Sequence, residues 1–111
     1  MVSLDTVFDL LSDERRRYTL YYLKEQEGPV SIDELVEVIV DWETDSTVEA
    51  APAETVDRVE LSLEHVHLPR TAEVEFIEYV PEEEIVRIQG APPKFDTIVT
   101  IAKLIEQPAN D

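Results

Sequence analysis

The chain begins with apolar residues at i, i+3, i+4 and i+7: Leu4, Val7, Phe8 and Leu11. That spacing lines one face of a helix and predicts a helix over 4–11, with Ser3 as its N-cap. Ser12-Asp13-Glu14 is a second helix start, a hydroxyl and two acids facing unpaired first-turn amides. This helix runs through Arg15-Arg16-Arg17-Tyr18 to Leu23 and stops at Gly28-Pro29. Ser31-Ile32-Asp33-Glu34 matches a capping box, in which the Ser bonds the N3 amide and the Glu reaches back. Ile32, Leu35, Val36, Ile39 and then Trp42 or Glu43 follow, so an amphipathic helix is expected over 32–43. Residues 43–53 form a polar loop of about a dozen residues. Beyond it Val56, Val59, Leu63 and Val66 make one helical stripe, with Asp57, Glu60 and Glu64 off it. Pro69 limits or kinks this helix, because it lacks an amide and disfavours helix at Leu68.

The period then shortens to two. Ala72, Val74 and Phe76 alternate with Glu73 and Glu75, and the runs Ile77–Val80 and Ile85–Ile88 are rich in β-formers. Pro81-Glu82-Glu83-Glu84 separates those runs, which therefore read as a hairpin with a four-residue connection. After Gly90-Ala91-Pro92-Pro93, a last helical stripe of Phe95, Ile98, Ile101, Ala102 and Ile105 covers 94–106. The expected fold is mainly α with a β-hairpin: four helices, the hairpin, one helix. Residues 1–91 form the domain, and 92–111 supply a C-terminal helix, for packing or dimerisation, with a short tail.

Composition narrows the setting. A chain of 111 residues holds one ordinary core, and 43% hydrophobic residues are enough to fill it. With no cysteine, disulfides, Cys-ligated zinc and thiol catalysis are excluded. No apolar run approaches the ~20 residues of a membrane span, and Met1-Val2-Ser3-Leu4-Asp5 lacks a signal peptide's basic flank, so a soluble cytoplasmic protein without membrane contact is expected. Against 26 acids stand 9 basic residues, a net charge of −17. That balance opposes nucleic acid, whose phosphates are bound by Lys and Arg. Yet the acids are spread along the whole chain and the only lysines are Lys24, Lys94 and Lys103, the pattern of a protein surface from a salt-loving organism. At ~1 M salt the Debye length is ~3 Å, so net charge then says little about what the chain can approach. An ordinary acidic protein is the alternative.

Catalytic chemistry is not indicated. The only glycines are Gly28 and Gly90, so there is no phosphate-cradling loop, and no Ser–His–acid order stands out. His65 and His67 on one helix lie about 200° apart and cannot share an ion. Neither metal nor cofactor is expected, and the chain does not read as an enzyme.

Leu10-Leu11-Ser12-Asp13-Glu14-Arg15-Arg16-Arg17, followed by Leu20 and Leu23, resembles the opening helix of ArsR-like winged-helix regulators. Leu63-Glu64-His65-Val66-His67-Leu68-Pro69-Arg70, with Asp41-Trp42-Glu43 and Ile77-Glu78-Tyr79, is similar to a haloarchaeal family of small winged helix-turn-helix domains treated as transcription regulators. The likeness covers residues 3–90. It implies that 31–43 is the first helix of the helix-turn-helix, 54–68 the recognition helix and 77–88 the wing. Double-stranded DNA would then meet Arg58, Ser62 and His65 on one face of the recognition helix, Arg70 at its end and Arg87 on the wing. Arg15, Arg16 and Arg17 would flank the groove, or instead bridge the chain's own acids.

Four features depart from that family's pattern: the long 43–53 loop, the acids Asp57, Glu60 and Glu64 on the recognition helix, the acidic tip Glu82–Glu84, and Glu75 where a glycine is usual. The acidic recognition helix and wing favour a second reading, a winged-helix module that binds a protein partner. As a DNA-binding regulator the chain is expected to be a homodimer, with Phe95, Ile98, Ile101 and Ile105 as the dimer face and recognition helices ~34 Å apart. Basic side chains on one continuous face would support DNA, whereas side chains scattered or each locked to a carboxylate would support the protein-binding module.

Overall fold

The computed structural model describes residues 3–26, 28–45 and 47–108. Ser3 caps α1 (Leu4–Leu10) by accepting the Thr6 amide at 3.1 Å, and Asp13 caps α2 (Glu14–Glu25) by accepting the Arg16 amide at 3.1 Å. Ser31 does the same for α3 (Ile32–Thr44) through the Glu34 amide at 3.1 Å. The Glu34 carboxylate takes the Tyr22 hydroxyl, tying α3 to α2. Leu20, Tyr21 and Leu23 of α2 meet Ile32, Leu35, Ile39 and Val40 of α3 in the core. Trp42 packs at its rim, its ring edge-on to Tyr18 at 5.7 Å.

The α1 stripe is rotated from expectation. Val7 and Leu10 are buried, Leu11 is partly buried, and Leu4 and Phe8 face solvent. Only a narrow strip of this short helix is covered by the core.

α4 (Ala53–Ser62) continues without a break through one π-helical turn, Leu63–His67, into α5 (Leu68–Thr71). The Leu68 amide reaches the Leu63 carbonyl, five residues back, so the turn holds one extra residue just before Pro69. Where Pro69 was expected to limit the helix, this widened turn carries the chain past it. The extra residue also turns the stripe. Val59 and Leu63 are buried as expected, but Val66 is exposed and His67 and Leu68 take the inward positions.

The hairpin forms from β2 (Ile77–Val80) and β3 (Ile85–Ile88), antiparallel, with Ile77 opposite Ile88 and Val80 opposite Ile85. Pro81–Glu83 make a single 3₁₀ turn, closed by Glu84 in the left-handed region at φ 54°. A strand that the hydrophobic pattern gave no sign of, β1 (Val30–Ser31), joins the far edge of β3, giving the order β1-β3-β2. Two residues are too few for a period to register. The Ile32 amide extends this edge to the Glu84 carbonyl at 2.9 Å. Residues 72–76, expected as an alternating strand, are instead successive turns, with the Glu73 amide on the Arg70 carbonyl and Ile77 on Val74. Val74 and Phe76 still point inward and Glu75 outward, so the alternation recorded burial, not strand.

α6 (Pro93–Glu106) closes the core with Phe95 and Val99, and the Phe95 ring lies edge-on to Phe76 at 4.7 Å. The result is a helical domain with a three-stranded antiparallel sheet whose β2–β3 hairpin is the wing. No helix among the described residues is long and apolar enough to cross a membrane.

Candidate nucleic-acid interface

α4 follows α3 in chain order and presents one side to solvent. Arg58, Ser62 and His65 line a shallow groove on that side together with Glu54, Asp57 and Leu61. Spacing at 100° per residue predicts that grouping. The groove is not basic. Arg58 is paired to Glu54, one turn earlier, at 2.9 Å, with both side chains largely exposed. His65 is exposed and has no hydrogen-bond or ion-pair partner among the described residues. Ser62 is half-buried and committed inward: its hydroxyl donates to the Val59 carbonyl at 3.1 Å and accepts from Arg15 at 2.7 Å.

The arginine run on α2 does not flank any groove. Arg15 grips Glu43 with two bonds of 2.6 and 2.7 Å, and with Ser62 it joins α2, α3 and α4. The Glu43 hydrogen bond holds its guanidinium pKa above the ordinary value, against the effect of burial. Arg16 is buried and donates to the Leu10 and Asp9 carbonyls at 3.1 Å and to the Ser12 hydroxyl at 3.2 Å, filling the orphan carbonyls at the end of α1. Arg17 makes two 2.9 Å bonds to Glu106 of α6 and one of 2.8 Å to the Leu11 carbonyl. All three are internal fasteners, so their assignment to DNA is corrected. The acids that Arg15 and Arg17 bond, Glu43 and Glu106, are distant in sequence, and no local pattern reveals them.

The remaining cations are dispersed. Arg70 leaves the end of α5 and meets Asp9 of α1 at 2.6 Å. Arg87 on β3 meets Glu78 at 2.8 Å, its direct cross-strand neighbour. Each of Arg58, Arg70 and Arg87 thus carries its own carboxylate. The wing tip Glu82–Glu84 is exposed.

His67 is the residue that sequence reasoning undervalued. It is buried, its Nε2 lies 3.8 Å from Asp13 and its Nδ1 3.5 Å from the Arg16 guanidinium. Burial pushes its pKa below the ordinary value; Asp13 pulls the other way, and Arg16 and Arg15 reinforce the push. Among the described residues no group of three or more His, Asp or Glu could hold a metal ion. The expected dimer face is corrected in part. Phe95 is wholly buried in this chain's own core and Ile98 is half-buried, whereas Ile101 and Ile105 are exposed.

No curated protein and no solved structure matches the chain. Residues 8–87, from α1 through most of β3, match the family described as Domain of unknown function (DUF7344). Since that match takes in most of the chain, including α4 and the wing, the protein belongs to the DUF7344 family.

Proposed function

We propose that the domain is a cytoplasmic DNA-binding transcription regulator of winged-helix type, adapted to high salt, with α4 entering the major groove and the β2–β3 wing beside it. The observation that carries the reading is the open side of α4, where Arg58 and His65 face solvent on one groove. The ion pairs at Arg58, Arg70 and Arg87 argue against it, but their weight is small. Exposed pairs contribute about 0–1 kcal/mol, so a phosphate can displace the carboxylate. The contact set is therefore Arg58, His65, Arg70 and Arg87, without Ser62 or the α2 arginines.

A second reading, docking of a protein partner on α4, is favoured by the dispersal of Arg58, Arg70 and Arg87, each paired to a carboxylate, and by the acids Glu54 and Asp57 and exposed Leu61 in the same groove. Fluorescence anisotropy with random-sequence and native promoter DNA, in KCl from about 0.1 to 2 M, separates the two. The regulator reading expects binding at some salt concentration, weakened about tenfold or more by Arg58→Ala and by Arg70→Ala. Absence of binding at every salt, or variants that bind like the parent, would leave the partner-docking reading.

A further inference from the structure

β2 is the outer strand of the order β1-β3-β2, and no strand among the described residues pairs with its other edge. In an antiparallel ladder, alternate residue pairs exchange both main-chain bonds. The Gln89 amide on the Phe76 carbonyl, at 2.8 Å, marks Phe76 and Gln89 as one such pair. The register then makes Glu78 with Arg87, and Val80 with Ile85, the next two. Ile77 and Tyr79 therefore turn their main-chain groups away from β3. The Val74 carbonyl holds the Ile77 amide at 3.3 Å, which leaves the Ile77 carbonyl and the Tyr79 amide and carbonyl along the open edge. A shallow groove runs beside them, lined by Glu73, Glu75, Ile77, Glu78, Tyr79 and Arg87.

Charge selects what this edge can take. Glu75 and Glu78 are exposed and Glu73 is half-buried. The Tyr79 hydroxyl pKa is raised first by burial and then by Glu64, Glu84 and Glu82, so three more carboxylates surround the far end of the edge. Against these six acids stand Arg87, bonded to Glu78, and Arg70, near Glu73 but bonded to Asp9. Phosphate is repelled there. A second copy pairing through its own β2 would bring the same acids face to face, and charges on an edge strand discourage such pairing. A strand of opposite sign is attracted instead, since cross-strand neighbours ~5 Å apart gain from opposite charge. Its alternate side chains would share the face of Glu78. We propose that the open edge of β2 takes up an extended segment of a partner protein as a fourth strand, one with lysine or arginine at alternate positions. The main chain supplies the pairing and the acids supply the selection, independently of what α4 contacts.

A fluorescein-labelled heptapeptide of alternating lysine and valine, added to the full chain in about 0.5 M KCl, tests this by anisotropy. It should bind at least ~10-fold more tightly than its glutamate–valine counterpart and than the same peptide with every amide N-methylated. Heteronuclear NMR should show the Tyr79 amide exchanging with solvent more slowly when the peptide is bound. Glu75→Lys and Glu78→Lys should each weaken binding ~5-fold or more, and Glu37→Lys, at an exposed acid of α3, by less than ~2-fold. Circular dichroism reads the fold of these three, and the peptide comparisons need no variant. The proposal is overturned if the lysine–valine peptide does not bind, if its N-methylated form binds equally, or if Tyr79 exchanges as fast with peptide as without. A loss at Glu37→Lys equal to that at Glu78→Lys overturns it too, since charge anywhere on the surface would then suffice.

Discussion

At the residue scale, arginines of one type divide by what surrounds them. Arg15, with Glu43 and Ser62 around it, is a partly buried fastener between three helices, whereas Arg58 lies in solvent beside Glu54. Charge-assisted bonds in the first setting are worth more than an exposed i,i+4 pair in the second. Arg15→Ala is therefore expected to lower stability by about 2–3 kcal/mol and Arg58→Ala by at most ~0.5 kcal/mol, read from urea denaturation at fixed salt. Equal losses would show that Arg15 is not the tie drawn above. His67 makes a different prediction. Its folded-state pKa is depressed from 6.5 by burial, so the unfolded chain binds the proton more readily and stability falls as pH drops below about 6.5. Glu106, depressed from 4.5 chiefly by Arg17, adds a separate loss below about pH 4.5. The thermal midpoint of His67→Gln should lose the upper step and keep the lower one. A midpoint that still falls between pH 6.5 and 5 in that variant would assign the upper step elsewhere. The chain pattern announces none of this, because a side chain's partner depends on helices meeting across 28 to 89 positions.

At the scale of elements, local signals served well where they were long. The Ser31 cap, the α3 stripe and the Ile77–Val80/Ile85–Ile88 hairpin are all legible in the residues and present in the fold. Two of the misses share one cause, a departure from a regular period. Alternation at Val74 and Phe76 reflects turns that happen to bury every second residue. The π turn before Pro69 breaks the 3.6-residue period within one helix, so counting by sevens sends Val66 to the wrong side. That rotation is testable. Val66→Glu should change the thermal midpoint little, while Leu63→Ala should cost about 2–5 kcal/mol by leaving a cavity. Comparable losses from both would return Val66 to the core.

At the scale of the whole molecule, the arginines hold the fold together and the acids cover it. With Arg15 and Arg17 each matched by a carboxylate and Arg16 buried on carbonyls, the rest of the surface keeps the whole excess of 26 acids over 9 bases. Self-repulsion of this kind weakens the folded state at low ionic strength. Raising KCl from about 0.1 to 2 M is expected to lift the thermal midpoint by about 5–10 °C, measured by circular dichroism at neutral pH. A flat or falling midpoint would remove the high-salt reading of the composition. Electrostatics was thus legible as a total and illegible as a map: the count needs only the residues, whereas the map needs to know which arginines are already occupied.

The strand order β1-β3-β2 has a consequence for how the chain is made. β1 is the first strand in sequence and β3 the last, yet β3 lies between the other two. Val30 has no ladder partner until Val86 exists, and no two strands can pair before β3 arrives. Such a long-range contact is slow to form. During synthesis from the N-terminus the three helices at the front can gather early, but the sheet stays open until its final strand has left the ribosome.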